Sequence, residues 1–156
     1  MTRLNDPNSD LPAAPPVLRI ERTELRLPTT GGTDVLDLTS AVSDYVESTG
    51  VTVGWVLVFV PGSTGAVTTI ELEDGCLDDL RRAVETLAPE RGEYAHNLRW
   101  GDGNGYSHVR AALMGPSLTV PIHNGRLALG TWQQIVLCDF DNRPRERRVL
   151  VEVLGS

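Results

Sequence analysis

The sequence predicts a single α+β domain dominated by antiparallel sheet, of β-sandwich type and with two or three helices. The first observation is a C-terminal half made of short apolar runs between turn residues, including the strong hairpin signal Asn124-Gly125. The second is that helical apolar spacing is confined to a few short stretches. The length of 156 residues fits one domain with a substantial core.

The first part of the domain is predicted to alternate sheet and helix. A strand or strand pair is expected within residues 17–28, and a turn over residues 29–33. A helix capped by Thr39 and ended by Gly50 follows, because its apolar residues share one side. The unbroken apolar run Trp55–Val60 is typical of a strand buried on both faces.

The middle of the chain supplies one more strand and two more helices. The strand is predicted over Ala66–Glu71 and the next helix over Leu77–Leu87, whose apolar residues recur at helical spacing. A short third helix is expected to start at Ser107, a good N-cap residue, and to stop at Gly115.

The remaining chain is predicted to be almost entirely sheet. Strands are expected over Ser117–Ile122, Arg126–Gly130, Thr131–Phe140 and Arg145–Leu154. The last of these alternates apolar and polar residues, which is the period of a strand with one buried face.

The segment 1–16 has a different composition from the rest. It holds four of the ten prolines and few large apolar residues, so burial cannot offset the entropy lost on ordering it. We therefore predict a flexible tail over residues 1–16 and a folded domain over residues 17–156.

Charge and composition narrow the classes of partner. The net charge of −7 argues against nucleic acid or an anionic membrane as the main partner. No apolar run approaches the ~20 residues of a membrane span, and the N-terminus lacks a secretory apolar region. With two cysteines in no metal or redox motif, a cytoplasmic location with reduced thiols is expected.

The stretch Tyr94–Gly115 carries the clearest functional signal. It holds His96 and His108 on either side of a glycine-rich loop that contains Asp102 and Asn104. Two imidazoles, a carboxylate and open backbone amides suit either a metal ion or an anionic ligand. Two histidines in a plain surface loop are the alternative.

Three further groups are candidate ligand contacts. Ser63 and Thr64 stand in a Gly-Ser-Thr-Gly turn whose amides and hydroxyls could bind phosphate, although a plain turn is an equal alternative. Among the clustered arginines at positions 143–148, Arg145 is the best candidate for a phosphate contact. Thr131 and Gln133 flank Trp132 and could offer polar contacts beside an aromatic wall.

Four segments together resemble the YjbQ (UPF0047) family. They are Tyr94–His96, Ser107–Gly115, Val120–Leu127 and Leu129–Arg145, the last with Gly-Thr-Trp-Gln followed by an acidic-aromatic Pro-Arg segment. The resemblance spans residues 17–155. It implies a β-rich α+β fold, commonly a homotrimer, and a thiamine-phosphate-synthase-like activity. That activity joins a pyrimidine diphosphate to a thiazole phosphate with loss of pyrophosphate, so a small phosphorylated molecule is the implied partner.

The chain departs from the family pattern before and after one strand. Where the family has His-Thr-(Thr/Ser)-Ala, this chain has Gly62-Ser-Thr-Gly, and Ile70-Glu71 replaces Asn-Glu. Glu71 and Asp74 still match the acidic positions. The resemblance implies a cluster of three histidines for metal or phosphate, of which His96 and His108 remain.

The site hypothesis combines these matches. His96, His108, Glu71 and Asp74 are the candidate catalytic residues, with the four predicted to share one pocket and Arg145 at its edge. His96 and His108 are also the candidate metal ligands, and zinc or another divalent ion would need a carboxylate to complete its site. Gly62→His should raise zinc affinity, provided that the backbone there does not need a positive φ.

Three classes of function stay open at this point. The first is a transferase of the kind just described. The second is a non-catalytic or ligand-binding relative, favoured by the missing histidine at Gly62. The third is a metal-dependent hydrolase that uses a bound water.

Overall fold

The computed structural model describes residues 16–156 of the chain. The predicted tail over residues 1–16 therefore lies outside the described residues, apart from Pro16. Within the described part, two antiparallel sheets are combined with four helices. The strands are β1 (Arg19–Thr29), β2 (Asp34–Asp37), β3 (Val53–Phe59), β4 (Gly65–Ile70), β5 (Ser117–His123), β6 (Arg126–Leu127), β7 (Gln134–Asp139) and β8 (Arg145–Gly155).

The four helices are short. They are α1 (Thr39–Thr49), α2 (Asp74–Leu87), α3 (Ala95–Trp100) and α4 (Gly105–Met114). None of those in the described chain is long and apolar enough to cross a membrane.

The larger sheet has the order β1-β8-β3-β5-β6 and the smaller one β2-β7-β4. Every strand pair is antiparallel, as the hairpin signal and the alternating C-terminal strand predict. β8 lies between β1 and β3. Gly54 and Gly155 are paired across β3 and β8, and a Cβ at Gly54 would lie 2.0 Å from the Leu154 carbonyl oxygen. Glycine is thus required where these two strands meet.

The main core lies between the two sheets and under α1. It is built from fully buried branched residues such as Val56 and Val58 on β3, Leu137 on β7 and Val151 on β8. Burial of each such side chain contributes roughly 1.5–3 kcal/mol. The alternation predicted for the last strand is observed, because Val149, Val151 and Val153 all face this core.

A second core lies on the other face of the smaller sheet. Val136 and Cys138 of β7 point away from the first core and pack with Phe140, Val84 of α2 and Ala111 of α4. β7 is therefore buried on both faces, and the molecule has three layers: sheet, sheet and helices.

Several predicted boundaries differ from the structure. α2 starts at Asp74 because the Glu73 carboxylate caps the backbone N–H groups of Gly75 and Cys76. α4 begins at Gly105 with Asn104 as N-cap, so Ser107 is not the cap.

Two further differences come from hydrogen bonds that the sequence pattern does not show. Thr39 is the first residue of α1 instead of its cap, and its hydroxyl accepts a hydrogen bond from the Ile135 N–H at 2.9 Å. The segment 131–133 is a turn before β7, closed by a hydrogen bond from the Gln133 N–H to the Gly130 carbonyl. Counting α3, which no pattern predicts, the described chain has four helices instead of two or three.

Four strand ends meet at one end of the sandwich, which we call the cleft end. β4 begins there at Gly65, paired with Asp139 at the end of β7. β1 ends there at Thr29, paired with Arg145 at the start of β8. The opposite end, where Ile70 pairs with Gln134, is called the far end.

Candidate functional site

A cleft of about 920 Å³ opens at the cleft end of the sandwich. Three segments line it: the loop 62–64 before β4, the α3–α4 region between residues 96 and 108, and the turn 141–147 between β7 and β8. The volume suits a small-molecule ligand.

The first wall of the cleft is a pair of histidines. His96 lies in the first turn of α3 and His108 in the first turn of α4, and a loop of four residues reverses the chain between them. Gly101 ends α3 with φ of 69°, and the Gly105 N–H donates to Asn97 Oδ1 at 2.8 Å. The two imidazole centroids are 4.4 Å apart, with ring planes at 46°.

Two polar side chains of the same loop contact the histidine pair. His96 Nε2 lies 3.1 Å from Asp102 Oδ2. With its amide nitrogen turned toward them, Asn104 lies 3.1 Å from Asp102 Oδ1 and 3.2 Å from His96 Nε2. Desolvation would raise the pKa of Asp102, but the hydrogen bond and charge of His96 outweigh it and hold that pKa below its usual range.

The opposite wall is built on a buried ion pair. Asp139 is fully buried and Arg147 is 8% exposed. Arg147 Nε donates to Asp139 Oδ2 at 2.8 Å and Nη2 donates to Oδ1 at 2.6 Å, while the Thr29 hydroxyl also donates to Oδ2. Burial alone would raise the pKa of Asp139, yet the hydrogen bonds from Arg147 and Thr29 hold it below its usual range.

A second carboxylate extends this network toward the cleft. The Thr64 hydroxyl accepts from Arg147 Nη2 at 2.7 Å and donates to Asp141 Oδ2 at 3.0 Å. Arg145 Nε and Nη2 lie 2.9 and 2.8 Å from the same oxygen. Asp141 Oδ1 is buried and has no hydrogen-bond partner in the described part of the chain.

Arg147 retains unused donors on the cleft side. A guanidinium has five N–H groups, and Nε and Nη2 supply three of them to Asp139 and Thr64. The two on Nη1 make no hydrogen bond within residues 16–156. Nη1 faces Gly62, because a Cβ added there would lie 3.3 Å from it.

Six of the ten predicted site residues lie at this cleft. They are His96, His108, Ser63, Thr64, Asn104 and Arg145. The structure thus brings together three sequence blocks that are separate along the chain. The Thr64 hydroxyl already has two partners, so its backbone N–H is what it can offer to a ligand.

The other four predicted residues lie at the far end. Glu71 follows the last residue of β4, which spans about 20 Å from the cleft end, and Asp74 begins α2. Thr131 and Gln133 precede β7, where Gln133 Nε2 donates to Thr69 Oγ1 at 3.2 Å. The predicted placement of Glu71 and Asp74 beside the histidines is therefore not observed, and any catalytic role for them stays a prediction.

Several cleft residues were not among the sequence candidates. Asp141 is the hydrogen-bond partner of Arg145, and Arg147 is the most buried cation of the cleft. Asp139, which does not itself line the cleft, binds Arg147. One signal could have found Arg147. It occupies the same face of β8 as Val149, and a charged residue at an inward-facing position of an alternating strand needs a buried partner.

The metal hypothesis requires a complete ligand set. His96 and His108 supply two imidazoles, and Asp102 is the neighbouring carboxylate. Even so, no group of three His, Cys, Asp or Glu side chains among residues 16–156 is placed to hold a metal ion. Since zinc sites use at least three protein ligands, the residues of one chain do not fit this metal. Gly62 has φ of +146°, so the condition set for Gly62→His is not met.

Fold and cleft together define a small α+β sandwich protein whose polar cleft is built on strand ends and two short helices. The chain belongs to the YjbQ family: the family model described as "UPF0047 protein YjbQ-like" matches residues 23–156.

Relatives in sequence and in structure agree with this assignment. A UPF0047 protein of Methanothermobacter thermautotrophicus is 40% identical over 139 residues, which covers 89% of this chain and 95% of that protein. A UPF0047 protein of Archaeoglobus fulgidus is 41% identical over 84% of this chain and 99% of its own. The crystal structure of a YbjQ-like protein of unknown function from Sulfolobus solfataricus superposes with a TM-score of 0.86 at 30% identity, covering 90% of this chain and 100% of that one.

Proposed function

We propose that the cleft binds a small phosphorylated molecule. The observation that carries the proposal is that two histidines and three arginines face one cleft from opposite walls. Guanidinium and imidazole N–H groups are good partners for phosphate oxygens, and a guanidinium can donate two parallel hydrogen bonds. The volume of about 920 Å³ leaves room for an organic part beside the phosphate.

Net charge is not what would attract this ligand. The three cleft arginines, Arg143, Arg145 and Arg147, are matched in number by the carboxylates of Asp102, Asp141 and Glu146. Asp141 is hydrogen-bonded to Arg145, and Asp102 to His96. Binding would therefore depend on directed hydrogen bonds from fixed donors, and only weakly on a long-range field.

The reaction that the family resemblance implies is a transfer with loss of pyrophosphate. In it the carbon–oxygen bond to the pyrophosphate of the pyrimidine substrate breaks, and a bond forms from the same carbon to the thiazole nitrogen. The arginines would stabilise the charge that develops on pyrophosphate, and His96 or His108 would supply a proton to the departing oxygen.

Pyrophosphate release from the two phosphorylated substrates tests this reaction. Removal of a general acid costs about 10²–10⁴-fold, so His96→Gln and His108→Gln should lower the rate by that order. His123→Gln is the matched control, because His123 is exposed on β5 and does not line the cleft. Equal rates in all three variants would refute the proposed role of the histidines.

A non-catalytic binding protein is the second candidate function. The observation that favours it is Gly62, which stands where the family pattern has a histidine. It predicts binding of a phosphorylated ligand without measurable pyrophosphate release from folded, unmodified protein. The metal-dependent hydrolase has less support, since the described residues lack a third metal ligand at the histidine pair.

We also propose assembly as a homotrimer in the cytoplasm, without nucleic acid or membrane partners. Large apolar side chains that a subunit interface could cover remain exposed on the described chain, among them Val53, Trp55 and Trp132 at 59%, 39% and 70%. Sedimentation at micromolar concentration tests the assembly, and a monomer would contradict it.

The proposed cytoplasmic location is supported by the cysteines. Both are free thiols, as a reducing compartment allows, and burial raises the pKa of Cys138 to about 12.

A further inference from the structure

The guanidinium of Arg147 is held in place by three hydrogen bonds, but two of its five N–H groups have no partner within residues 16–156. Asp139 takes two of its N–H groups and Thr64 a third, which fixes the plane of the group. The two N–H groups on Nη1 remain without a partner among residues 16–156. Nη1 reaches the open cleft, so these two N–H groups, held in a fixed orientation, can donate to a ligand that enters it.

The loop beside Nη1 also offers donors. The backbone N–H groups of Gly62, Ser63 and Thr64 form no hydrogen bond with backbone or side chains of the described chain. Thr64 anchors this loop to Arg147 through its hydroxyl. The loop amides and the guanidinium therefore belong to one connected unit.

Gly62 keeps a space open between the loop and the guanidinium. Apart from the neighbouring residues of the loop, only Arg147 Nη1 lies within 4 Å of the position that a Cβ at Gly62 would occupy. The φ of +146° at Gly62 is one that residues with side chains rarely adopt. An acceptor oxygen that occupied this open space could approach Nη1 to within hydrogen-bonding distance.

We propose that Arg147 Nη1 and the amides of residues 62–64 form a subsite for one phosphate group, with Gly62 as the residue that determines its specificity. This proposal rests on the proposed function and assigns the phosphate to one place in the cleft. We call this place the Gly62 subsite. The organic part of the ligand then extends toward His96 and His108, which line the same cleft.

The chemistry of the subsite favours a tetrahedral anion. A phosphate has several acceptor oxygens, so it can accept hydrogen bonds from the guanidinium and from the loop amides at once. Asp139 balances the charge of Arg147, so the attraction is short-ranged. Affinity for phosphate should accordingly depend less on salt than it would at a cluster of free surface arginines.

Titration of the full chain with inorganic phosphate, followed by calorimetry, tests the subsite. Gly62→Ala places a methyl group beside Nη1 and should weaken phosphate binding at least tenfold, about 1.4 kcal/mol. Gly115→Ala is the matched control. Gly115 also has a positive φ, of +95°, but it does not line the cleft, and nothing lies within 4 Å of its Cβ position. It should therefore cause similar backbone strain and change the dissociation constant by less than about twofold.

A second variant separates the guanidinium from the loop. Arg147→Lys keeps the positive charge but removes the planar guanidinium, which binds Asp139 through two N–H groups and presents Nη1 to the cleft. Phosphate affinity should therefore fall by a similar factor. Circular dichroism of each variant identifies any that fails to fold, and Gly62→Ala then decides the result alone. Acetate serves as the planar control anion and should bind more weakly than phosphate.

The outcomes distinguish this subsite from the proposed function. Phosphate binding that is absent in the unmodified protein, or unchanged in folded Gly62→Ala, overturns the subsite. If Gly62→Ala still binds and converts the phosphorylated substrates, the subsite is wrong and the proposed function stands. If phosphate binds through Gly62 but no pyrophosphate is released, the subsite stands and the transferase is wrong.

Discussion

The two ends of the sandwich carry polar residues in very different environments. At the cleft end, Asp139, Asp141 and Arg147 are less than a tenth exposed, and hydrogen bonds connect them. At the far end, Glu71 and Gln133 are exposed and lie beside turns. Charges are removed from water only where partners compensate them, so the cleft end has been built at an energetic cost that the far end avoids.

This contrast shows why residue type alone does not locate a site. Glu71 and Asp74 have the side chains expected of catalytic residues, yet both are exposed, at an end of the sandwich where residues 16–156 form no buried polar network. Asp139 and Arg147 form a buried ion pair that contributes to stability. The same pair also holds the guanidinium of Arg147 in a fixed orientation, with donors facing the cleft.

The largest effect is expected for Asp139→Asn. The change removes the carboxylate that binds Arg147 through two hydrogen bonds and leaves only the more distant Asp141, 3.7 Å from Nη2, as counter-charge. Breaking a buried pair in this way typically costs about 3–5 kcal/mol of the free energy of unfolding. Urea denaturation at neutral pH measures it. The control is Glu24→Gln, which breaks the hydrogen bonds of Arg148 to Glu24 at an exposed position and should lower stability far less. Equal losses would show that burial does not distinguish the two pairs.

A smaller effect of the same pair should appear in acid. The pKa of Asp139 is held below its usual value in the folded protein, so its contribution is complete above the unfolded value of about 4. The contribution is lost as the pH falls from about 4 through the folded pKa. The stability difference between the unmodified protein and Asp139→Asn should therefore shrink between pH 5 and pH 3. A difference that stays constant over this range would contradict the role assigned to Asp139.

The smallest effect is expected at the far end. Glu71→Gln should change the free energy of unfolding by no more than about 0.5 kcal/mol, because the Glu71 side chain is exposed to solvent. Phosphate affinity should also be unchanged. If this variant folds but loses pyrophosphate release, the far end of one chain must reach the cleft of another copy. That result would mean that the active site is shared between two subunits, with the cleft end from one and the far end from the other.

Much of the fold could be predicted because its signals are local. The hairpin at Asn124-Gly125 and the alternation in β8 depend on residues close together in sequence. α3 was missed because its six residues complete fewer than two turns, too few for a period to appear. β2 has four residues and lacks a clear alternation of buried and exposed positions.

The candidate site was predictable to a lesser degree. His96 and His108 could be brought together because they stand on either side of one short glycine-rich loop. The network around Arg147 could not be predicted, because Thr64 comes from the loop before β4, and Thr29, which donates to Asp139, comes from β1. A sequence block also does not show at which end of a strand it lies, and this is why Glu71 was placed beside the histidines.

The position of β8 in the larger sheet has a consequence for how the chain folds. Both of its neighbours, β1 and β3, precede it in sequence, and the contact between Thr29 and Arg145 spans 116 residues. β1 therefore leaves the ribosome long before its partner strand exists. Closing so long a loop is entropically costly before any pairing compensates for it, which slows folding to the millisecond-to-second range. Until β8 is made, β1 and β3 present open edges to other chains, so this is the stage at which aggregation or chaperone capture is expected.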